Sequence, residues 1–404
     1  MATQQSSTFC SVPWTQLATN SSGYYRVCCN ALPVKNLVRD AQGKVLTVYK
    51  NTVEEAWSAP TYLQIREEMQ SSVRPEMCTR CFREEDAGVE SARQRWNRRW
   101  PETSLQQDAE GAFPLVKYVD LRLGNLCNLK CRMCNPYSSS KWVEEWNSVV
   151  GTKGLVPESS LSPGEAQRLQ KMDWPEDEKT WAHLLPILNT VEEIYLTGGE
   201  PFLSLKQTDL LQKLVDSGRS SEVVIKYNTN VTVYPEKIIA LWAKFKTVRL
   251  NLSIDGVGAT NDYIRFPAKW ASVEKNLQGF FELKKAGVPL EISVHTTVQI
   301  YNILELPKII QYFRDNYTLT PYFNILNHPA CLNIRSMPQS LKDVALRRLQ
   351  PWANEKGVGE VISYMLAEDW SKSYWPEFIR YTSQLDANRS QKYMVSDVDL
   401  QLVD

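Results

Sequence analysis

The chain has 404 residues, and its 46 lysines and arginines balance its 46 aspartates and glutamates, so its formal net charge is zero. A neutral chain has no global electrostatic attraction to nucleic acid, and no apolar run approaches the ~18 residues of a membrane helix. The N-terminus has no basic start followed by an apolar core, which a secretory signal would show. We therefore predict a cytoplasmic location, and we expect neither a membrane nor a nucleic acid as partner.

The first part of the chain, to about residue 110, is irregular, with one predicted helix near 52–70 and a stretch rich in arginine and tryptophan at 93–100. That stretch either grips phosphate and stacks a base, or forms a helix whose two tryptophans, four residues apart, pack on one face.

From Val116 onward, apolar strand-like runs alternate with helical patterns. This alternation predicts parallel strands with right-handed crossovers. Six units are fewer than the eight of a closed barrel. We therefore predict an α/β fold, a partial (β/α)6 barrel preceded by a small irregular α+β module. The predicted domains are 1–110, 111–335 and a helical extension at 336–404; a polar insertion at 151–180 has no assigned structure. The predicted strands are Val116–Leu123, Val191–Thr197, Val223–Tyr227, Val248–Ile254, Leu290–Thr297 and Pro321–Leu326, and the predicted helices are Lys206–Ser217, Pro235–Phe245, Val273–Ala286 and Leu304–Asp315.

Nine cysteines lie in clusters along the sequence, whereas there are only three histidines. In a cytosolic chain, closely spaced cysteines indicate metal binding rather than disulfides, and the metal is a soft one held by thiolates.

Three cysteines follow the first predicted barrel strand at spacings of four and three: Cys127, Cys131 and Cys134. A 4Fe–4S cluster has four irons, so three thiolates leave one iron open to a small molecule. The alternatives are a zinc knuckle, which normally needs a fourth ligand, and three unrelated buried cysteines.

Two further motifs stand at predicted strand ends. Gly198-Gly199-Glu200-Pro201 allows close backbone approach and offers a carboxylate to an ammonium group. Ser253 and Asp255 end the fourth strand, with Arg265 downstream, and an arginine fork suits a carboxylate. In isolation each motif is also an ordinary turn.

Residues 116–330 resemble the radical S-adenosylmethionine (SAM) superfamily in these three motifs. The resemblance implies a 4Fe–4S cluster on Cys127, Cys131 and Cys134 whose open iron binds SAM. It also implies reductive cleavage of SAM to a 5′-deoxyadenosyl radical that abstracts a hydrogen atom, with an electron donor such as flavodoxin or ferredoxin. Met133 stands where the family often has an aromatic residue. The implied SAM-binding residues are Met133, Gly198, Gly199, Glu200, Pro201, Asn228, Thr229, Ser253, Asp255 and Arg265.

A second constellation comprises Cys10, Cys28, Cys29, Cys78 and Cys81. A site with four thiolates needs Cys10, one of the adjacent pair, and both cysteines of the Cys78–Cys81 loop, and it holds either an iron–sulfur cluster or a structural zinc ion. The pattern is similar to the SPASM/twitch module, although in most members of the family that module follows the barrel. The resemblance implies one auxiliary 4Fe–4S cluster, which accepts an electron or, with an open iron, binds the substrate.

The resemblance implies modification of a peptide or protein substrate. The alternatives are oxidation of a small molecule such as an aminocyclitol, sugar or nucleotide, and a zinc-stapled binding protein without redox activity. Two catalytic candidates remain. Cys331 is either a hydrogen-atom donor or a buried inert thiol, and His295 is either an acid–base group or a structural histidine.

Overall fold

The computed structural model describes residues 8–32, 35–101, 115–149, 166–167, 169 and 172–392. The linker from residue 102 and most of the predicted insertion lie outside the described residues. By its internal contacts the chain divides into two compact units, each built from several segments. The first unit comprises residues 1–125, 172–227 and 236–248, and the second comprises residues 126–171, 228–235 and 249–404.

Eight strands form one sheet in the order β2-β1-β3-β4-β5-β6-β7-β8. The strands are β1 Gln16–Thr19, β2 Tyr25–Arg26, β3 Tyr118–Arg122, β4 Glu193–Thr197, β5 Val224–Thr229, β6 Thr247–Ser253, β7 Leu290–Val298 and β8 Tyr322–Ile325. Strands β3 to β8 correspond to the six predicted from the sequence, and β3 with β4, β4 with β5, and β7 with β8 pair in parallel. The predicted α/β fold is therefore confirmed.

The N-terminal cysteine segment contributes two further strands to the sheet. Strand β1 pairs antiparallel with β2 and parallel with β3, with Gln16 opposite Tyr118. The turn of this hairpin contains Gly23 at φ +76°, where a Cβ atom would lie 3.1 Å from the side chains of both Val48 and Trp174. The hairpin thus extends the sheet at the edge of β3.

The described helices cover most of the predicted helical stretches. Their bounds are α1 Val12–Thr15, α2 Val53–Trp57, α3 Pro60–Gln70, α4 Thr79–Asp86, α5 Ala92–Arg99, α6 Trp142–Val149, α7 Glu178–Leu184, α8 Gln207–Asp216, α9 Glu236–Trp242, α10 Ala259–Ile264, α11 Trp270–Lys285, α12 Leu306–Tyr317, α13 Gln339–Leu349, α14 Val358–Ala367 and α15 Ser371–Arg389. The single helix predicted at 52–70 is two helices, because Pro60 begins α3. Thr52 and Glu55 form a capping box that begins α2.

Side chains alternate between the two faces of β3, β4 and β5, as the two-residue period of a strand requires. On one face lie buried apolar residues such as Leu121, Leu196 and Tyr227, and the Tyr227 ring packs against Phe202 and Trp242. The opposite face carries polar and charged side chains. Within the described ranges, no helix is both long and apolar enough to cross a membrane.

Candidate metal centres

The three cysteines after β3 belong to one loop of the second unit. Cys127 and Cys131 are buried and Cys134 is half-buried, and all three pack with Leu129 and Ala268 in one apolar cluster. The backbone N–H of Leu129 donates to the Cys127 Sγ at 3.5 Å. The Asn230 amide donates to the same sulfur at 3.9 Å. Donors aimed at sulfur stabilise thiolates, so this loop suits an iron–sulfur cluster.

The electrostatics of the loop also favour thiolate. The Cys134 thiol donates to Cys131, which lowers the pKa of Cys131 and raises that of Cys134. Arg265 lies close enough for its charge to stabilise both as thiolates, and its Nη2 is 2.8 Å from Asp255 Oδ2. Burial raises the pKa of Asp255 against the opposing effects of Arg265 and of the Thr297 N–H, which Oδ1 accepts at 2.7 Å.

The backbone of this loop is held from several sides. The Lys130 N–H donates to Phe266 O at 2.7 Å and the Arg132 N–H donates to Ile264 O at 2.8 Å. The indole N–H of Trp142 donates to Cys131 O at 2.9 Å. The Tyr381 hydroxyl, on α15, donates to Arg132 O at 2.7 Å. The conformation of the loop is therefore fixed by its surroundings in the second unit.

Two buried arginines join the loop region to α15. Arg132 is fully buried, stacks on the Tyr263 ring at 3.6 Å and pairs with Asp386. Arg389 donates to the Glu145 carboxylate with two nitrogens, Nε at 3.0 Å and Nη2 at 2.8 Å. The Lys130 ammonium lies 3.2 Å from the same carboxylate. These contacts tie the C-terminal helix to the cluster loop.

The Gly198-Gly199-Glu200 motif lies in the first unit, directly after β4. Gly198 has φ +131°, and a Cβ there would lie 2.8 Å from the Leu123 backbone nitrogen, so only glycine fits. Glu200 is 2% exposed, and its carboxylate accepts the Phe202 N–H at 3.2 Å, where it caps a 3-10 turn. Pro201 is buried in that turn.

The other predicted SAM-binding residues lie in the second unit. Met133 packs beside the three cysteines. Asn228 accepts a hydrogen bond from Asn251 at 2.7 Å, and the buried Thr229 hydroxyl accepts the Val231 N–H at 3.1 Å. Ser253 is half-buried at the end of β6.

The N-terminal thiols surround one cavity in the first unit. Cys10, Cys28, Cys78 and Cys81 all line this cavity. Burial raises the pKa of Cys10 to about 12 and raises those of Cys78 and Cys81. Thiolate ligands in this site would therefore have to lose their protons on metal binding. Four thiols around one cavity suit a fully ligated cluster.

Cys29 points to different neighbours. It accepts a hydrogen bond from Cys28, which lowers its pKa, and it hydrogen-bonds the buried Asp120 carboxylate. It is not among the residues that line the thiol cavity. Cys28 and Cys29, which their spacing in the sequence could not distinguish, therefore have different surroundings in the structure.

The two catalytic candidates have ordinary structural surroundings. Cys331 is fully buried in a 3-10 turn, and burial raises its pKa to about 12. His295 stacks on Tyr322 with ring centroids 5.2 Å apart, and its Nε2 lies 3.1 Å from the Ser293 hydroxyl. Their catalytic roles stay predictions.

The stretch rich in arginine and tryptophan forms α5. Trp96 and Trp100 stack with centroids 5.3 Å apart on one face. Arg99 lies 2.7 Å from Glu193, and Arg93 and Arg98 pair with Glu85 and Glu90. The packing interpretation of this helix is confirmed.

Three thiols after a parallel strand, and four more that line another cavity, are the candidate cluster ligands of this α/β chain. Residues 121–312 match the radical SAM superfamily, and residues 10–82 match the SPASM iron–sulfur cluster-binding domain. The chain therefore contains a radical SAM domain and, N-terminal to it, a SPASM iron–sulfur cluster-binding domain. Its cofactors are 4Fe–4S clusters and SAM.

Solved structures similar to this chain have low sequence identity to it. Native anSMEcpe with bound AdoMet is 16% identical over 61% of this chain and 66% of that chain, with a TM-score of 0.36. SuiB from Streptococcus suis is 12% identical over 72% and 62%, with a TM-score of 0.36. SuiB bound to the precursor peptide SuiA is 15% identical over 70% and 60%, with a TM-score of 0.34. This chain covers less than two thirds of each of these solved chains, and no curated protein matches it.

Sequence reasoning missed two groups of residues. Arg132, Asp386 and Arg389 hold the cluster loop, but their pairings span about 250 sequence positions, and no local pattern signals them. The charged side chains on β2, β3 and β5, among them Asp120 and Lys226, were also missed. The signal that could have revealed the second group is the presence of charged residues within predicted strands that are otherwise apolar.

Proposed function

We propose that this chain cleaves SAM reductively and directs the resulting radical to a peptide or protein side chain. The observation that carries the proposal is the loop of Cys127, Cys131 and Cys134, which packs these three thiols in one apolar cluster. The three thiolates would hold a 4Fe–4S cluster with one iron left for SAM, and that cluster would supply the electron for cleavage of the sulfonium bond. A one-electron donor such as flavodoxin or ferredoxin would reduce it.

The residues of the chain have separable roles in this proposal. The cluster loop, with Leu129 and Ala268 against it, excludes water from the thiolates. Arg265, held by Asp255, keeps a positive charge near Cys131 and Cys134. The Glu200 carboxylate receives the SAM ammonium by resemblance to the family motif.

The auxiliary site serves electron transfer in this proposal. Cys10, Cys28, Cys78 and Cys81 together give the four thiolates that a cluster needs, which leaves no iron for substrate. A substrate radical is oxidised to product when it loses an electron, and such a cluster is a suitable acceptor. The peptide assignment rests on the SPASM match at residues 10–82.

The test is anaerobic SAM cleavage by the reconstituted, dithionite-reduced protein, measured as 5′-deoxyadenosine, with iron and sulfide counted for each variant. Cys131→Ala should abolish cleavage and remove about four irons per chain, whereas Cys331→Ala should change neither. The Cys78→Ala protein should still cleave SAM. Wild-type cleavage by the Cys131→Ala protein would refute the proposal.

A further inference from the structure

A row of polar and charged side chains crosses the first unit on the face of the sheet opposite its apolar core. Register places Ala18, Asp120 and Tyr195 opposite one another on β1, β3 and β4, and Lys226 continues the row on β5. Arg26 on β2 is opposite Ala18. We call Arg26, Asp120, Arg122, Tyr195 and Lys226 the cationic row; Arg122 lies two residues after Asp120 on the same face.

The row is a connected electrostatic unit. Burial raises the pKa of Asp120, and the charges of Arg122, Arg26 and Lys226 oppose that rise. The Lys226 ammonium lies 4.9 Å from the centre of the Tyr195 ring. Three cations therefore face one carboxylate, and the nearby Glu193 is paired with Arg99 at 2.7 Å.

Several polar atoms of the row are buried without a hydrogen-bond partner among the described residues. Asp120 is 1% exposed and Arg26 is 9% exposed. Asp120 Oδ1 has no donor, and the Nε atoms of Arg26 and Arg122 have no acceptor within the described part of the chain. Buried polar groups without a partner destabilise the folded state, so native proteins usually pair them.

Arg122, Tyr195 and Lys226 are half-buried, so a ligand can reach them, whereas Asp120 lies deeper. A ligand that pairs with these groups would place an anion against Arg122 and Lys226 and an N–H donor against Asp120 Oδ1. An acidic residue of a peptide has both, a side-chain carboxylate and a backbone N–H. The guanidinium binds a carboxylate through paired hydrogen bonds.

We propose that the cationic row binds an acidic residue of the peptide substrate. Its carboxylate contacts Arg122 and Lys226, and a neighbouring N–H donates to Asp120. Cys29 bonds Asp120 and follows Cys28, which lines the thiol cavity, so the bound residue lies beside the auxiliary site. This inference rests on the proposed function and specifies its substrate class.

The experiment measures binding, by calorimetry, to the reconstituted enzyme with SAM but without reductant. The probes are N-acetyl-glutamate methylamide and its glutamine counterpart, which differ in charge but hardly in size. The glutamate probe should bind at least about tenfold more tightly, because a hydrogen bond to a charged carboxylate is stronger than one to a neutral amide. Arg122→Gln and Lys226→Gln should each remove most of that preference, whereas Lys213→Gln, on the exposed side of α8, should keep it.

Equal binding of the two probes, no binding of the glutamate probe, or an unchanged preference in both row variants would overturn the inference. The inference would also be overturned if Arg122→Gln or Lys226→Gln changed only the reduction potential of the auxiliary cluster and not the binding of the probes. The row would then act as a counter-ion to that cluster. Tight binding of inorganic phosphate in place of the glutamate probe would also overturn it. SAM cleavage is measured separately, so failure here leaves the radical chemistry standing.

Discussion

Cys28 and Cys29 are adjacent in sequence and occupy different environments. Cys28 lines the thiol cavity, and its sulfur accepts the Asn30 N–H at 3.3 Å, as a thiolate ligand would. Cys29 instead bonds Asp120 in the cationic row. One residue of backbone thus separates a thiol that lines the cavity from one that contacts Asp120.

Replacement of each of these cysteines by serine tests that division. Cys28→Ser should lower the iron content and alter the electron paramagnetic resonance signal of the auxiliary cluster, because one thiolate of that site is replaced. Cys29→Ser should keep all the iron, since its hydroxyl can still donate to Asp120. Iron and sulfide analysis, with electron paramagnetic resonance of the reduced proteins, checks both. The opposite pattern of iron loss would assign Cys29 as the ligand.

At the scale of elements, α15 determines how firmly the cluster loop is held. The Glu145 carboxylate contacts Arg389 and Lys130, and these cations hold its pKa below the ordinary value despite burial. The helix and the loop are therefore joined by a buried charge network, which is costly to break from one side.

Arg389→Met should remove the centre of this network and leave Glu145 with Lys130 alone. We expect a loss of about 3 kcal/mol in stability and faster release of iron to a chelator. Arg380→Gln is the matched control, because Arg380 lies on the same helix with its side chain 48% exposed and pairs with Glu377 on that helix. Thermal unfolding and the rate of iron loss measure the two effects. Equal behaviour of the two variants would show that the helix does not stabilise the loop.

At the scale of the whole molecule, local sequence patterns predicted where the strands and the cysteine loop lie better than which strands pair with each other. The six barrel strands and the cysteine loop were predictable, since hydrophobic period and cysteine spacing are local properties. The pairing of β1 with β3 was not, because about 100 residues separate Gln16 from Tyr118 and a four-residue strand has little period of its own. Which of Cys28 and Cys29 lines the thiol cavity was likewise not predictable, because Cys29 is held by Asp120, which is distant in sequence.

The pairing of β1 with β3 predicts how a fragment of residues 111–404 behaves. Without the hairpin, β3 becomes an open strand edge, and Tyr118 loses its packing against Phe9 and Trp100. We expect this fragment to aggregate or to hold little iron on Cys127, Cys131 and Cys134. Size-exclusion chromatography and iron analysis measure this.

The control is the full-length chain with Cys78→Ser and Cys81→Ser, which lacks the auxiliary ligands but keeps β1. It should remain monodisperse and keep the first cluster. A fragment that behaves as well as this control would place an independent domain boundary near residue 110.

The four thiols of the auxiliary cavity all lie within the first 81 residues, whereas β3 begins at Tyr118. During synthesis every ligand of that cavity leaves the ribosome before the strand that pairs with β1. Chains fold from the N-terminus as they emerge. The SPASM-type domain can therefore acquire its iron while the barrel is still being translated, and the finished hairpin then offers β3 an edge on which the parallel sheet begins.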